Sequence, residues 1–358
     1  MLPGSSHRFL TIVVFTIFVA AAAGCGSIGP KTLDKDQLDY GQSVGNNWKN
    51  QMLANIVKLR FVDMPVFVDV GSIVSGYSME TQVSGRLGFS DSFTGGNSQG
   101  LSAGGKFTDR PTITYMPKTG DDYLRSLLAP VEPKNLLALI QAGYNAELLF
   151  TWSMEAINGV QNYAGTTKSN LEADPEFYEL AALMTELQGQ GAIAWEFNTD
   201  PETGHDVLLV LRSDGLPESV QRKRDRIAEI VGLDVSINRY RVVYAPVKIG
   251  PDTLALQTRS VVQTLSAMSR FVDVPVELTN QAVPGVRTRQ GTARPFHVLS
   301  GEDRPDDSFA AIKYRDHWYW IENTDLKSKQ VFTLMLFMTT LTNNAGSNVA
   351  PVLTIPTG

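Results

Sequence analysis

Cysteine occurs once in the 358 residues, at Cys25. No intrachain disulfide can form and no cysteine cage for zinc can be built, so the fold must hold through its core alone. Histidine is nearly as scarce: His7, His205, His297 and His317 are dispersed, without the HExxH or HxH spacing that turns two imidazoles toward one metal. A basic stripe is also missing, and 31 Lys and Arg stand against 37 Asp and Glu for a net charge of −6, which argues against nucleic acid as a partner. No apolar run after residue 25 reaches the roughly 20 residues that a spanning helix needs.

Two catalytic-looking patterns fail on their context. Residues 24–29 fit GxGxxG but do not join a strand to a helix, as a dinucleotide fingerprint must. Residues 96–100 fit GxSxG, yet Ser98 falls at an expected hairpin tip, where a nucleophile elbow needs a strand before and a helix after. Glu302, Asp303, Asp306 and Asp307 form an acidic loop without regular calcium-ligand spacing. Arg222, Lys223, Arg224 and Arg226 alternate with Asp225 and Glu229 on an expected helix and read as a solvated face. No catalytic residue, metal ligand or cofactor is assigned, and the chain is expected not to be an enzyme. The enzymatic alternative is an envelope hydrolase whose carboxylates converge from distant segments.

What is present begins with residues 9–25, FLTIVVFTIFVAAAAGC, an apolar run of secretory-signal length preceded by Arg8. Ala22-Ala23-Gly24-Cys25 resembles the lipobox of bacterial lipoproteins, with Ala22 where that family favours Leu. The resemblance implies a diacylglycerol thioether on Cys25, cleavage before it and acylation of the new amino terminus. Several acyl chains hold a protein stably where one does so marginally. Ala21-Ala22-Ala23 also fits ordinary secretion, and a retained anchor is the third possibility, though Gly24 and Gly26 flank the run's end. Gly26, where an aspartate would resemble an inner-membrane retention signal, points to the outer membrane, facing the periplasm.

The organisation expected is a signal (1–24), a lipidated polar tether (25–46), a helix with a long hairpin (47–170) and an α/β region (171–358), the last two able to form one globule. Trp48, Met52, Ile56 and Leu59 are spaced for one face of a helix over 47–59. Arg60-Phe61-Val62-Asp63-Met64-Pro65-Val66 follows, and its words return as Arg270-Phe271-Val272-Asp273-Val274-Pro275-Val276 after an apolar-periodic stretch over 256–268. Helix, RFVDxPV and extended segment thus recur, as a duplication or as a shared way of ending a helix at proline.

Strict alternation runs through Tyr77, Met79, Thr81, Val83, Gly85, Leu87, Phe89, Asp91 and Phe93. It resumes past a glycine-rich tip at Leu101, Ala103, Gly105, Phe107, Ile113 and Tyr115, which predicts a long amphipathic hairpin over 77–115. Asp91 and the lack of aromatic girdles count against a place in a membrane barrel. Helices are expected over 119–128, 133–139, 174–187 and 217–231, and strands over 111–117, 192–197, 207–211 and 240–244. The stretch 148–159 fits either state. A hairpin is expected around Arg315-Asp316, then a helix from Asp325 whose 331–341 segment is nearly all apolar and is taken as buried. The fold class is α+β: a mixed sheet with packed helices, a long N-terminal-half hairpin and a buried C-terminal helix.

Trp318, Tyr319 and Trp320 are the candidate contacts for a ligand or partner, since hairpin aromatics stack on sugars or anchor proteins. Alternation puts the two tryptophans on one face and Tyr319 on the other, and the structural alternative packs the tryptophans on the 331–341 helix. Residues 110–115 (RPTITY), 257–260 (QTRS) and 314–329, with YRDHWYWI and DLKSK, make the body resemble an uncharacterised family of bacterial lipoproteins; that resemblance implies no site. The expectation is a lipid-anchored cell-envelope protein that binds or assembles, meeting the membrane through Cys25 and envelope proteins through its body. The alternative is a subunit of an oligomeric outer-membrane pore or secretion complex built with the 77–115 hairpin.

Overall fold

The computed structural model describes residues 29–74, 77–88, 98–109, 112–162, 173–197, 207–286 and 294–342. Cys25 with the whole 9–25 run, His7, His205 and the turn expected near residue 200 lie outside them. The chain divides into two compact units, 1–49 and 50–358.

Helix α1 spans Gly29–Arg60, so the stretch expected as a tether is helical from Gly29 onward. Pro30 fits a first helical turn, and the Lys, Asp, Gln and Leu that follow are compatible with helix. Within the second unit, α1 buries Met52, Leu53, Ile56 and Val57. Asn55, also buried, clamps the chain after the helix: its Nδ2 donates to Val66 O and its Oδ1 accepts from Val66 N, both at 2.9 Å. Trp48, expected on the apolar face, is half exposed.

The predicted hairpin is present and has a base. Strand β1 (Val68–Val74) pairs antiparallel with β4 (Thr112–Pro117), in register from Val68 opposite Pro117 to Val74 opposite Thr112, with one shift between Val70 and Ser72. Beyond it β2 (Tyr77–Gly88) pairs with β3 (Ser98–Asp109), from Tyr77 opposite Asp109 to Gly88 opposite Ser98. Each outer arm has 12 residues, or about 40 Å at the strand rise. β2 and β3 have each other as their main neighbours.

The body is built on a six-stranded mixed sheet of order β6-β5-β10-β9-β8-β7. Helices α2 (Asp121–Leu128), α3 (Pro133–Gln141) and α4 (Ala146–Ser153) come first. The ambiguous 148–159 stretch contains both states, because α4 passes at Ser153 into β5 (Met154–Ile157), which turns into β6 (Val160–Gln161). Then follow α5 (Pro175–Gly189), β7 (Ile193–Phe197), β8 (Val207–Leu211), α6 (Glu218–Val231) and β9 (Arg239–Tyr244). Gly232 ends α6 in the left-handed conformation (φ +64°), where glycine avoids the Cβ clash.

The periodic stretch over 256–268 is not one element. It is the end of β10 (Thr253–Thr258) and then α7 (Val261–Ser269), separated at Ser260. β10 lies parallel to β9 and antiparallel to β5 and is buried on both faces, so it lacks the alternation that marks a half-exposed strand. Ser260 and Gln263 form a reciprocal capping box that starts the helix. The chain after the second RFVD motif is also not extended: Val276–Gln281 is a 3-10 helix.

A three-stranded sheet of order β11-β13-β12 follows, from β11 (Leu299–Gly301), β12 (Ala310–Tyr314) and β13 (His317–Ile321), and leads into α8 (Leu326–Thr342). Asp325 starts α8 as expected, its carboxylate accepting from Ser328 N at 3.0 Å and Ser328 Oγ at 2.6 Å. Val331, Phe332, Leu334, Met335 and Met338 of α8 are buried, and α7 packs against both α8 and α2. The apolar core is contiguous from Met52 to Met338. Among the described residues no helix is long and apolar enough to cross a membrane.

Candidate functional site

The β12–β13 hairpin turns through Arg315 (φ +47°) and Asp316 (φ +65°), the paired positive φ values of the tight turn that matches strand twist. Its alternation is as expected, and the face meeting the core is that of Tyr319, not the tryptophan face of the structural alternative. Tyr319 and Ile321 are buried while Trp318 and Trp320 are partly exposed, so the tryptophans do not fill the core and Tyr319 is no contact residue. The register explains this: Ala310 lies opposite Ile321 and Ile312 opposite Tyr319, and direct antiparallel pairs share a face. Phe61 meets Tyr319 edge-on at 6.3 Å, and Phe309 meets Phe332 of α8 at 5.6 Å. On the outer face Trp320 lies across Gly301 of β11, where a Cβ would sit 3.2 Å from its ring. The Arg304 guanidinium stands 5.4 Å over Trp318, an interaction worth about 0.5–1 kcal/mol where solvated.

The hairpin tip gathers residues from three segments. Asp63, from the first RFVD motif, accepts from Tyr314 Oη and from Arg315 Nη2, the latter at 3.0 Å. Arg315 Nη1 donates to Gln281 at 2.8 Å and the guanidinium lies 4.7 Å over Phe61. His317 Nε2 meets Glu277 at 2.7 Å, with its Nδ1 2.9 Å from Arg315 O. The hydrogen bond from Tyr314 is the main cause holding the Asp63 carboxyl below its ordinary range. The Arg315 carbonyl, and then Glu277, favour protonated His317 and raise its pKa. Exposed Val62, Met64, Val66 and Val276 lie on these same segments.

Val62 sits at φ +62°, a conformation that a β-branched side chain adopts only under constraint from its surroundings. Val62→Gly is therefore expected to stabilise the protein by about 1 kcal/mol in urea unfolding. An equal or lower midpoint would mean that the exposed Val62 side chain offsets the strain.

The second RFVD motif makes a related cluster. Asp273 accepts from Arg294 Nη1 and pairs with His297 Nε2, each at 2.7 Å. Burial opposes ionisation of this carboxyl, but His297 and Arg294 outweigh it and keep its pKa low. The short segment 283–286 joins the two motifs: Val283 N donates to Arg60 O at 2.9 Å and Val286 N to Arg270 O at 3.1 Å. The repeated words thus end two helices against one strap. Their backbones differ, since only the first copy has a valine at positive φ and only the second enters a 3-10 helix.

The other sequence candidates take these places. Ser98 opens β3 and is followed by strand, so no elbow forms there. Glu302, Asp303, Asp306 and Asp307 are exposed. Arg224 departs from the solvated face expected for its cluster: it is buried, and its guanidinium donates to Val235 O, Ile237 O and Asn238 Oδ1. An open groove is lined by Asn158, Asp174, Glu176, Arg226, Glu229 and Ile230 among others. Arg226 is tied there to Glu229 at 2.9 Å and, beside it, to Glu179 at 2.8 Å, while Asp174 accepts from Gln161 N. Arg226, Glu229 and Asp174 are thus engaged with one another or with backbone, and no nucleophile with an adjacent base stands among the lining residues. Among the described residues no three metal-ligating side chains cluster.

Strands β2 and β3 of the ribbon pair chiefly with each other. Their register sets Met79 opposite Phe107, Val83 opposite Ala103 and Gly85 opposite Leu101. From Met79 to Leu87 and from Gln99 to Phe107 the positions on that face carry no charge, whereas Glu80, Arg86 and Lys106 occupy the alternate positions. Compared with known protein families, with curated proteins and with solved structures, the chain matches none.

Proposed function

We propose that this protein is a lipid-anchored component of the cell envelope that binds or assembles with other envelope proteins and catalyses no reaction. The supporting observation is the β2–β3 pair, two 12-residue arms whose register puts uncharged residues on one face from Met79 to Leu87 and from Gln99 to Phe107. Unpaired edges and an apolar face are costly in isolation and are relieved by pairing with another chain. Anchoring through Cys25 holds the body at the membrane, where such a partner is met. The tryptophan face of β13 supplies a second, smaller contact area.

The second reading is an oligomeric outer-membrane pore or secretion-complex subunit, favoured by the length of the uncharged face. About nine residues per arm approach the 9–11 that a tilted membrane strand requires, and several hairpins closing into a barrel would satisfy every edge.

Cys25→Ser tests the anchoring. The parent protein is expected in the detergent phase and the variant in the soluble periplasmic fraction, with the intact-mass difference of the acyl chains lost. Equal partitioning and equal mass in both would overturn the anchored reading. Stepwise conductance across a planar bilayer from a detergent-extracted ring would select the pore, and a monomer in detergent would count against it.

A further inference from the structure

Two side chains of the β12–β13 hairpin hold the 3-10 helix Val276–Gln281. Arg315 Nη1 donates to Gln281 Oε1 at 2.8 Å, a bond between a permanent cation and a neutral amide that no pH change near neutrality alters. The other is His317, the first residue of β13. Its Nε2 stands 2.7 Å from the Glu277 carboxylate and its Nδ1 2.9 Å from Arg315 O. Both neighbours only accept. The carbonyl has no proton, and the Glu277 carboxyl is held below its ordinary pKa range by its own backbone N–H first and then by His317, against burial. Both ring nitrogens must therefore donate, and only the imidazolium has two N–H groups.

Loss of one proton turns a lone pair toward an oxygen at one of these two contacts, and the surroundings decide which one opens. Arg315 O belongs to the tight turn, with Arg315 and Asp316 both at positive φ, two residues before His317. The imidazole is itself confined, its side chain 15% exposed. Glu277 is 60% exposed and turns into water at little cost, so its contact is the one that opens. Glu302, just past β11, acts on the ring with the same sign as Glu277. The turn's own charges, Arg315 and Asp316, are engaged by Asp63 and Lys313. The Arg315 carbonyl first, and then the two glutamates, outweigh burial and raise the His317 pKa.

We propose that the His317–Glu277 contact is a pH-operated latch between the β12–β13 hairpin and the 3-10 helix, closed by the imidazolium and opened by the neutral ring. Six residues is long for a 3-10 helix, whose hydrogen bonds are poorly aligned, so its order depends on such ties. Opening leaves the Arg315–Gln281 bond in place and loosens the amino-terminal end of the helix, where Val276 is exposed. The sign follows from the raised pKa: the stabilisation is complete below the ordinary histidine value of 6.5 and is lost as pH rises through the folded midpoint. The latch stands whether or not the body is anchored or the ribbon assembles.

The test is a proton–carbon NMR titration of the histidine rings in the full detergent-solubilised chain, with the His317 signal assigned by its absence from His317→Gln. A midpoint above 6.5 is expected, and Glu277→Gln, at an exposed position, should keep the fold and lower that midpoint. Amide hydrogen exchange over residues 276–281, corrected for the intrinsic effect of pH, should become about threefold faster or more as the parent passes its midpoint. In Glu277→Gln the corrected rate should not change with pH, because a neutral amide pairs with either form of the ring. A His317 midpoint at or below 6.5, the same midpoint in Glu277→Gln, or equal protection of 276–281 on both sides of the midpoint would overturn the latch.

Discussion

Arg259→Ala is expected to lower the free energy of unfolding by about 4 kcal/mol, a large part of a typical domain's total. Arg259 follows β10 directly and its side chain is fully buried. Nη1 donates to Thr151 O and Trp152 O at 3.3 Å each, and Nη2 donates to Asn162 O at 2.7 Å. Those three carbonyls flank the passage of α4 into β5 and the end of β6, so one side chain joins three segments. Thr151 O also accepts from Asn162 Nδ2, but Asn162 O would lose this donor. Charge-assisted bonds contribute about 1.5–3 kcal/mol each, and truncation adds a cavity. Against this, burial disfavours the charge and lowers the guanidinium pKa to about 10, which keeps the net loss below the simple sum. Arg259→Met, which refills the volume, should cost less than the alanine variant by about 1–2 kcal/mol. Urea unfolding followed by circular dichroism measures both. A loss under 1 kcal/mol in Arg259→Ala would mean that water replaces the side chain without penalty.

Replacing residues 75–111 by Asn-Gly should leave the body folded and abolish its assembly. Val74 lies opposite Thr112, so a two-residue turn closes β1 onto β4 in a geometry that Asn-Gly favours. The described strands of the removed stretch, β2 and β3, pair with each other, and the Tm is expected to stay within about 2 °C of the parent, as for changes away from packed groups. Any detergent-stable species larger than the parent monomer, and any envelope protein co-purifying with it, should disappear. Val83→Lys is the point-substitution counterpart. Val83 is centrally placed among the uncharged positions, and a lysine on a lipid-facing strand costs about 2–4 kcal/mol at the bilayer midplane. Multiplied around a ring, that would prevent insertion, whereas a ribbon that pairs with a soluble partner through its edges would tolerate it. An Asn-Gly variant that assembles and co-purifies as the parent does would remove the ribbon from the mechanism.

Period and punctuation were enough for the elements with one dry face or a marked end. The hairpin over 77–115 was legible because alternation persists beyond any chance run. Pro175, Gly232 and Asp325 mark helix ends where the chain does start or stop. β10 was not legible: burial on both sides removes its alternation, and it lies between the parallel neighbour β9 and the antiparallel neighbour β5, a pairing that no local pattern encodes. Helix α1 was underestimated because its polar first part carries no periodic apolar face.

What the amino-acid order determined by itself is the class of fold, the two-faced ribbon, the turn at Arg315-Asp316 and the repeated RFVDxPV words, since each depends on neighbours a few residues apart. Which face of β13 meets the core was decided only by tertiary structure: alternation separates Tyr319 from the tryptophans but does not say which side Phe61 and α8 will occupy. The same holds for the buried arginines. Arg60, Arg224 and Arg259 resemble surface cations in sequence, and only tertiary structure buries them and, for Arg224 and Arg259, supplies the carbonyls of distant segments that make each a clamp. Electrostatic environment is a sum over groups far apart in the chain, so no local window contains it.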